Sequence, residues 1–92
     1  MAQVRYLLTL EGRVQGVGMR NFAQSQAVML GLSGWVQNRE DGSVQIGVQG
    51  EEESVGHFLG LLRQGNYWIR VDNLSAVPLP VLERQEGFRI LY

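Results

Sequence analysis

The stretch Gly12-Arg13-Val14-Gln15-Gly16-Val17-Gly18-Met19-Arg20 links an alternating segment to a helical one, and the other elements are arranged around it. Glycine allows positive φ and close approach, so such a loop can turn several backbone N–H groups toward one point. A helix that begins directly afterwards adds unpaired N–H groups, and Arg20 adds a guanidinium fork. The stretch is therefore suited to hold phosphate or another compact anion. A plain strand-to-helix turn would also use glycines, and this second interpretation stays open.

Two common phosphate motifs do not match this loop. A P-loop requires a lysine after its second glycine, and the chain contains no lysine. The dinucleotide fingerprint requires a sixth-position glycine, and counting from Gly16 that position is Asn21. The sequence therefore supports neither an ATPase site nor a Rossmann site.

The segments on either side of the loop show clear hydrophobic periods. Val4–Leu10 alternates apolar and polar residues and predicts the first strand. Asn21–Leu30 carries an apolar stripe at helical spacing and predicts a helix that stops at Gly31. Gly34–Arg39 alternates again and predicts the second strand.

The second half of the chain predicts a hairpin and one more helix before the last strands. The predicted segments are a tight turn at Glu40-Asp41-Gly42, a strand over Ser43–Gln49, a helix opened by Glu51-Glu52-Glu53 and ended by Gly65, a strand over Tyr67–Asn73, a loop over Leu74–Gln85 and a short strand over Gly87–Tyr92. On the third strand, the side chains expected to face outward are Ser43, Gln45, Gly47 and Gln49.

The order of these elements is β-α-β-β-α-β followed by a short fifth strand. This order is typical of the α+β class and of the ferredoxin-like split βαβ sandwich, in which an antiparallel sheet carries two helices on one face. At 92 residues, with 45% hydrophobic and 18% charged residues, the chain is expected to form a single domain over residues 1–92.

Composition also limits the function. The chain has no cysteine, which excludes a thiolate nucleophile and a sulfur metal site. A net charge of −1 gives no general attraction to nucleic acid, so no nucleic-acid partner is expected. No apolar stretch approaches membrane-spanning length and no signal peptide is evident, so we expect a soluble cytoplasmic protein without a membrane partner.

Few side chains are candidates for chemistry. His57 is the only histidine, and Glu51–Glu53 diverge around a helix, so neither predicts a metal site. The remaining candidates are Arg20 with the loop amides, and Asn38 near the end of the second strand. In a split βαβ sheet, the ends of the first two strands can bring the glycine loop and Asn38 close together.

At these residues the sequence resembles the acylphosphatase family. The stretch Gly12–Arg20 is similar to the first signature of that family, and Gly34-Trp35-Val36-Gln37-Asn38-Arg39-Glu40-Asp41-Gly42-Ser43-Val44 is similar to the second. The resemblance extends over essentially the whole chain, in both length and element order. Two signatures at the right separation are far more specific than either one alone.

The resemblance implies hydrolysis of the carboxyl–phosphate anhydride bond of an acyl phosphate, without metal or cofactor. The phosphoryl group would be bound by Arg20 and by the loop of Gln15, Gly16, Val17, Gly18, Met19 and Arg20. Asn38 would orient the attacking water, so Arg20 and Asn38 are the expected catalytic pair. The expected partner is a small acyl phosphate. Inorganic phosphate or sulfate could also occupy the loop, and we expect the protein to be a monomer.

The chain departs from the family pattern at three places. Met19 replaces the usual Phe, Gln37 replaces the Arg or Lys of many members, and Gln64–Trp68 replaces a Gly-Pro-Pro-like turn. Because Met is large and apolar, we expect packing at position 19 to be retained in a looser loop. A noncatalytic anion-binding or protein-interaction module on the same fold is the alternative function, since one fold serves many functions.

Overall fold

A computed structural model of the protein describes residues 2–92, and its elements follow the predicted order with a mixed sheet. Met1, the first residue of the predicted domain, lies outside the described residues. The elements are β1 (Gln3–Arg13), α1 (Met19–Met29), β2 (Ser33–Asn38), β3 (Val44–Glu51), α2 (Glu52–Gln64), β4 (Arg70–Leu79) and β5 (Phe88–Leu91). They form a five-stranded sheet in the order β4-β1-β3-β2-β5. Between residues 2 and 92, no helix has the length and apolar character needed to cross a membrane.

Pairing within the sheet confirms the split βαβ core and adds one detail. β1 pairs antiparallel with both β3 and β4, and β2 pairs antiparallel with β3. The short fifth strand instead runs parallel to β2, from Gly34 opposite Phe88 to Gln37 opposite Leu91. The antiparallel sheet expected from the sequence is therefore present in the four strands of the split βαβ core, and the fifth strand adds a parallel edge. β5 enters beside β2 after a crossover from the far edge of the sheet, which permits parallel pairing.

One apolar core lies between the sheet and the helices. Alternate residues of the central strands are fully buried, including Leu8 and Leu10 of β1 and Ile46 of β3. The two helices supply their stripes to the same cluster: Ala23 and Ala27 from α1, and Val55, Phe58 and Leu62 from α2. The periodicity predicts these helix residues to face inward together with Leu30 and Leu59, which are partly buried against the same cluster, so local pattern and global packing agree.

The hairpin between β2 and β3 is a further confirmed prediction. Gly42 adopts φ +93°, as expected for the last residue of the tight turn. The turn is closed by bonds from the Arg39 N–H to the Ser43 carbonyl and from the Gly42 N–H to the Arg39 carbonyl, at 2.9 and 3.2 Å. This hairpin fixes where the end of β2 lies.

The fourth strand lies later in the chain than its pattern indicates. Asn66 Oδ1 accepts hydrogen bonds from the Trp68 and Ile69 N–H groups, and this turns the chain where a strand was predicted. The strand runs over Arg70–Leu79, so the first half of the predicted Leu74–Gln85 loop is strand. β4 is an edge strand, and an edge tolerates Pro78 because one side of its backbone needs no partner.

Three of the four residues predicted to face outward from the third strand are buried, namely Ser43, Gly47 and Gln49. Ser43 and Gln49 are only 3% and 6% exposed. The Gln49 amide donates to the Leu82 carbonyl at 2.9 Å and its oxygen accepts from the Leu82 N–H at 2.8 Å. The segment between β4 and β5 therefore lies over this part of the outer face, and Gln49 is its anchor.

Candidate active site

The glycine loop has the backbone conformation of an anion-binding loop. We call its backbone N–H groups over residues 15–20, together with the Arg20 side chain, the cradle. β1 ends at Arg13 and α1 begins at Met19, two residues earlier than predicted, so the loop is residues 14–18. Gly16 and Gly18 have φ of +74° and +81°, and no non-glycine residue has positive φ among those described. The sign of φ therefore alternates along the loop, which is how successive N–H groups converge in an anion-binding nest. A Cβ on either glycine would have nothing within 4 Å, so backbone conformation, and not crowding, requires glycine here.

The loop leaves its donors free. Within the part of the chain that the structure describes, no backbone N–H from residue 15 to residue 21 donates to another protein group. The last of these belong to the first turn of α1, where the helix dipole adds partial positive charge. An anion placed here would meet several hydrogen-bond donors that the fold itself does not use.

Arg20 lies in the first turn of α1, next to these donors. Its side chain is half-buried, and the only ion pair of residues 2–92 joins two other residues, Arg70 and Asp72. Its guanidinium carbon lies 4.8 Å from the centre of the Tyr92 ring, within the range of a cation–π contact. The guanidinium therefore has an aromatic neighbour but no carboxylate partner, and its charge stays available to a ligand.

Asn38 lies at the end of β2 and faces the same space. Val44 of β3 pairs with Asn38 of β2 on one side and with Leu10 of β1 on the other. Asn38 is therefore separated by a single strand from the part of β1 that leads into the loop. The Asn38 Oδ1 atom is buried and accepts no hydrogen bond from the described residues. A buried acceptor without a partner is costly, which makes Asn38 a candidate for contact with a bound molecule.

These groups meet in one small cavity of about 110 Å³. Its lining residues are Val14, Gly16, Gly18, Met19, Arg20, Asn21, Asn38, Ile90 and Tyr92. Pockets for drug-sized ligands hold roughly 300–1,000 Å³, so this cavity suits a compact ion. None of its lining residues is a carboxylate or a histidine.

Most of the residues predicted from the sequence lie on this cavity, and two of the loop do not. Arg20 and Asn38 line it together with Gly16, Gly18 and Met19. Met19 is 2% exposed and belongs to the core cluster, as expected for an apolar replacement at that position. Val17 packs against the core from a half-buried position, and the Gln15 side chain is directed to the β2–β3 hairpin.

The sequence interpretation missed four lining residues. Ile90 and Tyr92 reach the cavity because β5 runs parallel beside β2, which no local pattern indicated. Asn21 could have been found from its position beside Arg20 in the first helical turn. Val14 is buried at 1% exposure, and its place directly before Gln15, the first predicted phosphate-binding residue, was the available signal.

The other titratable candidates lie elsewhere. His57 is exposed on α2, and Glu51–Glu53 lie exposed where β3 ends and that helix begins. Asp41 has a structural contact in the hairpin. The hydroxyl of Ser43, and then its backbone N–H, donate to the Asp41 carboxylate at 2.6 and 2.9 Å, and these bonds hold the pKa of Asp41 below its usual value.

The fold and the cavity define a small ferredoxin-like α+β domain with a cavity whose size and donors suit a compact anion. The family model described as acylphosphatase matches residues 6–90. The chain belongs to the acylphosphatase family, and its function is that of an acylphosphatase, a hydrolase of small acyl phosphates.

Relatives of similar length support this assignment. The chain is 43% identical to an acylphosphatase of Clostridium acetobutylicum over 88 residues, which cover 96% of the chain and 97% of the relative. The solved structure of acylphosphatase from Bacillus subtilis matches with a TM-score of 0.92 at 37% identity, covering 97% of this chain and 99% of that one. An acylphosphatase structure from Coxiella burnetii matches with a TM-score of 0.89 at 30% identity, covering 97% and 93%.

Proposed function

We propose that the cavity binds the phosphoryl group of an acyl phosphate and directs water onto its phosphorus atom. Arg20 and the loop amides of residues 15–20 hold the phosphoryl oxygens, and Asn38 orients the attacking water. The products are a carboxylate and inorganic phosphate. Arg20 and Asn38 are the catalytic residues in this proposal, because both touch reacting groups.

The observation that carries the proposal is the buried, unpartnered Oδ1 of Asn38 on the same cavity as Arg20. A water that donates one hydrogen to this oxygen keeps a lone pair free to attack phosphorus. Because Asn38 cannot act as a base, it contributes by orientation alone. Its position at the end of a paired strand supports that role, since the hairpin restrains the backbone that carries the side chain.

The cradle supports the other half of the mechanism. A phosphoryl group in transfer spreads negative charge over its three non-bridging oxygens, and catalysis depends on positioning and charge stabilisation. Free backbone N–H groups and an unpaired guanidinium are donors that are already in place and need no rearrangement as charge develops. This donor set has no carboxylate of the kind that Mg²⁺ uses, so we propose a metal-independent reaction.

The chemical step balances without an enzyme base. The water oxygen forms a bond to phosphorus while the bond between phosphorus and the carboxyl oxygen breaks. The carboxylate leaves with that electron pair, and the water passes a proton to a phosphoryl oxygen of the substrate. This route agrees with a cavity lined by no carboxylate and no histidine.

The wider setting is part of the same proposal. The protein acts as one domain over residues 1–92, as a monomer in the cytoplasm. Inorganic phosphate, the product, or sulfate occupies the loop when substrate is absent. Nucleic acid is not a partner, in keeping with the net charge of −1.

The test is hydrolysis of benzoyl phosphate in the presence of EDTA by wild type, Arg20→Ala and Asn38→Ala, with the inhibition constant of inorganic phosphate measured alongside. Loss of one oxyanion donor typically costs about 10²–10³-fold in turnover, so Arg20→Ala should lose at least that and should also bind phosphate weakly. Asn38→Ala should lose about 10²-fold in kcat and keep phosphate affinity within a few-fold.

Two results would contradict the proposal. Wild-type turnover that disappears with EDTA would refute the metal-independent step. Full turnover in a folded Asn38→Ala protein would show that the water is oriented by another group. Circular dichroism melting of both variants checks that they fold.

A further inference from the structure

The side chain of Gln15 connects the phosphate-binding loop to the β2–β3 hairpin that follows Asn38. Gln15 is the second residue of the loop, and its Nε2 lies 2.7 Å from the Arg39 carbonyl oxygen and 2.8 Å from the Ser43 carbonyl oxygen. Both hydrogens of the amide are therefore used on the turn that follows Asn38. The side chain does not line the cavity.

The turn that Gln15 contacts is itself well defined. Each of the two carbonyls already accepts a backbone hydrogen bond, Arg39 from Gly42 and Ser43 from Arg39. A carbonyl oxygen has two lone pairs, so the Gln15 amide takes the second on each. The Asp41 carboxylate fixes Ser43 from the other side through two more bonds. Gln15 thus attaches the loop to a part of the hairpin that has little freedom to move.

No other hydrogen bond of the described residues links this loop to the hairpin. The β-ladder between β1 and β3 ends at the pair Leu10 and Val44, before the loop begins. Past that point, the relative position of cradle and hairpin depends on packing and on the two Gln15 bonds. Asn38 is covalently adjacent to Arg39, so a shift of the turn would move the amide that faces the cavity.

We infer that Gln15 is a positioning residue, which sets the distance between the phosphoryl cradle and Asn38. This inference rests on the proposed function above. Catalysis by orientation is sensitive to placement, and a displacement of about 1 Å can cost about 10²-fold in rate. Gln15 therefore affects turnover through Asn38, while the N–H groups and Arg20 continue to bind phosphate.

The test is a double-mutant cycle with Gln15→Met and Asn38→Ala, measured as kcat for benzoyl phosphate and as the inhibition constant of inorganic phosphate. Methionine has similar length and volume but no donor. Gln15→Met should lower kcat about 10–100-fold and change the phosphate constant by less than about threefold. In the Asn38→Ala background, the same substitution should lower kcat by less than about threefold, because the oriented group is already gone.

Gln24→Met is the matched control. Gln24 also donates from Nε2 to a backbone carbonyl, that of Phe88 at 2.9 Å, and is also half-buried. This bond fastens α1 to β5 and does not join loop to hairpin. Gln24→Met should lower the melting temperature about as much as Gln15→Met and leave kcat near the wild-type value.

Three outcomes overturn the inference. Wild-type kcat in Gln15→Met removes any positioning role, and equal losses in both backgrounds show that Gln15 does not act through Asn38. A parallel loss of phosphate affinity would make Gln15 part of the cradle. Wild-type kcat in Asn38→Ala alone would instead refute the proposed function, so the two failures are distinct. Should Gln15→Met not fold, Gln15→Asn carries the same cycle with an intermediate loss, since its amide is one methylene shorter.

Discussion

Replacing Gly18 by alanine tests whether the loop requires its backbone conformation. Gly18 has φ +81° and ψ +19°, and a Cβ there would have no atom within 4 Å. The penalty therefore comes from the left-handed conformation alone, which costs an L-residue about 1–2 kcal/mol. The variant can bear this strain or relax the loop. Once phosphate holds the loop in place, the loop cannot relax, and the whole strain energy lowers the stability of the bound state.

The assay follows from that argument. The free energy of unfolding is measured by urea with saturating inorganic phosphate, and Gly18→Ala should fall about 1–2 kcal/mol below wild type. Without phosphate the loss should be equal or smaller, and any difference should appear as weaker phosphate binding.

Gly56→Ala is a control that should change the free energy of unfolding in the opposite direction. Gly56 lies in α2, is exposed, and also has nothing within 4 Å of an added Cβ, but its φ is not positive. Alanine should therefore stabilise the protein by about 0.5–1 kcal/mol. If Gly18→Ala stabilised the phosphate-bound protein as Gly56→Ala does, the loop would not need its left-handed residue, and the cradle geometry would be refuted.

Three further predictions concern the surroundings of the site. Tyr92→Leu should weaken phosphate binding about two- to fivefold, because Arg20 loses a cation–π contact of about 0.5–1 kcal/mol. Tyr92→Phe keeps the aromatic ring and should keep wild-type binding in the same phosphate titration. Equal losses in both variants would show that loss of the ring is not the cause. Ser43→Ala should raise the pKa of Asp41 toward its usual 3.8, measured by carboxyl NMR. In wild type the lowered pKa stabilises the fold above pH 3.8, and this contribution is lost as pH falls through the lowered pKa, so the variant should lose less stability on acidification than wild type. An unchanged pKa in the variant would exclude the Ser43 hydroxyl as the main cause of the lowered pKa. His57→Gln should leave kcat and its pH profile from about pH 6 to 8 unchanged, because His57 is exposed outside the cavity, and a shifted profile would contradict a site without a histidine.

Local physics made most of the fold predictable. The inward stripes of both helices, the inward faces of β1 and β3 and the turn at Gly42 each depend on residues close in sequence, and all were confirmed. The failure at β4 has an equally local origin. Tyr67, Ile69 and Val71 alternate as a strand would, but the Asn66 side chain captures two N–H groups and turns the chain first.

Interactions between distant segments were less predictable. The candidates Arg20 and Asn38 could be chosen from residue type, yet their meeting on one cavity depends on the sheet order. The contact of Gln15 with a turn 24 and 28 residues away, and that of Tyr92 with Arg20, required the register of strands and the parallel entry of β5. No composition or period encodes such distances.

The central claim is that this cavity directs water onto phosphorus. The most direct measurement is benzoyl phosphate hydrolysis in ¹⁸O-labelled water, with the products of wild type and Asn38→Ala analysed by mass spectrometry. The account predicts that the label enters inorganic phosphate and not benzoate, and that Asn38→Ala forms labelled phosphate about 10²-fold more slowly. Label in benzoate, or an undiminished rate in the variant, would contradict it.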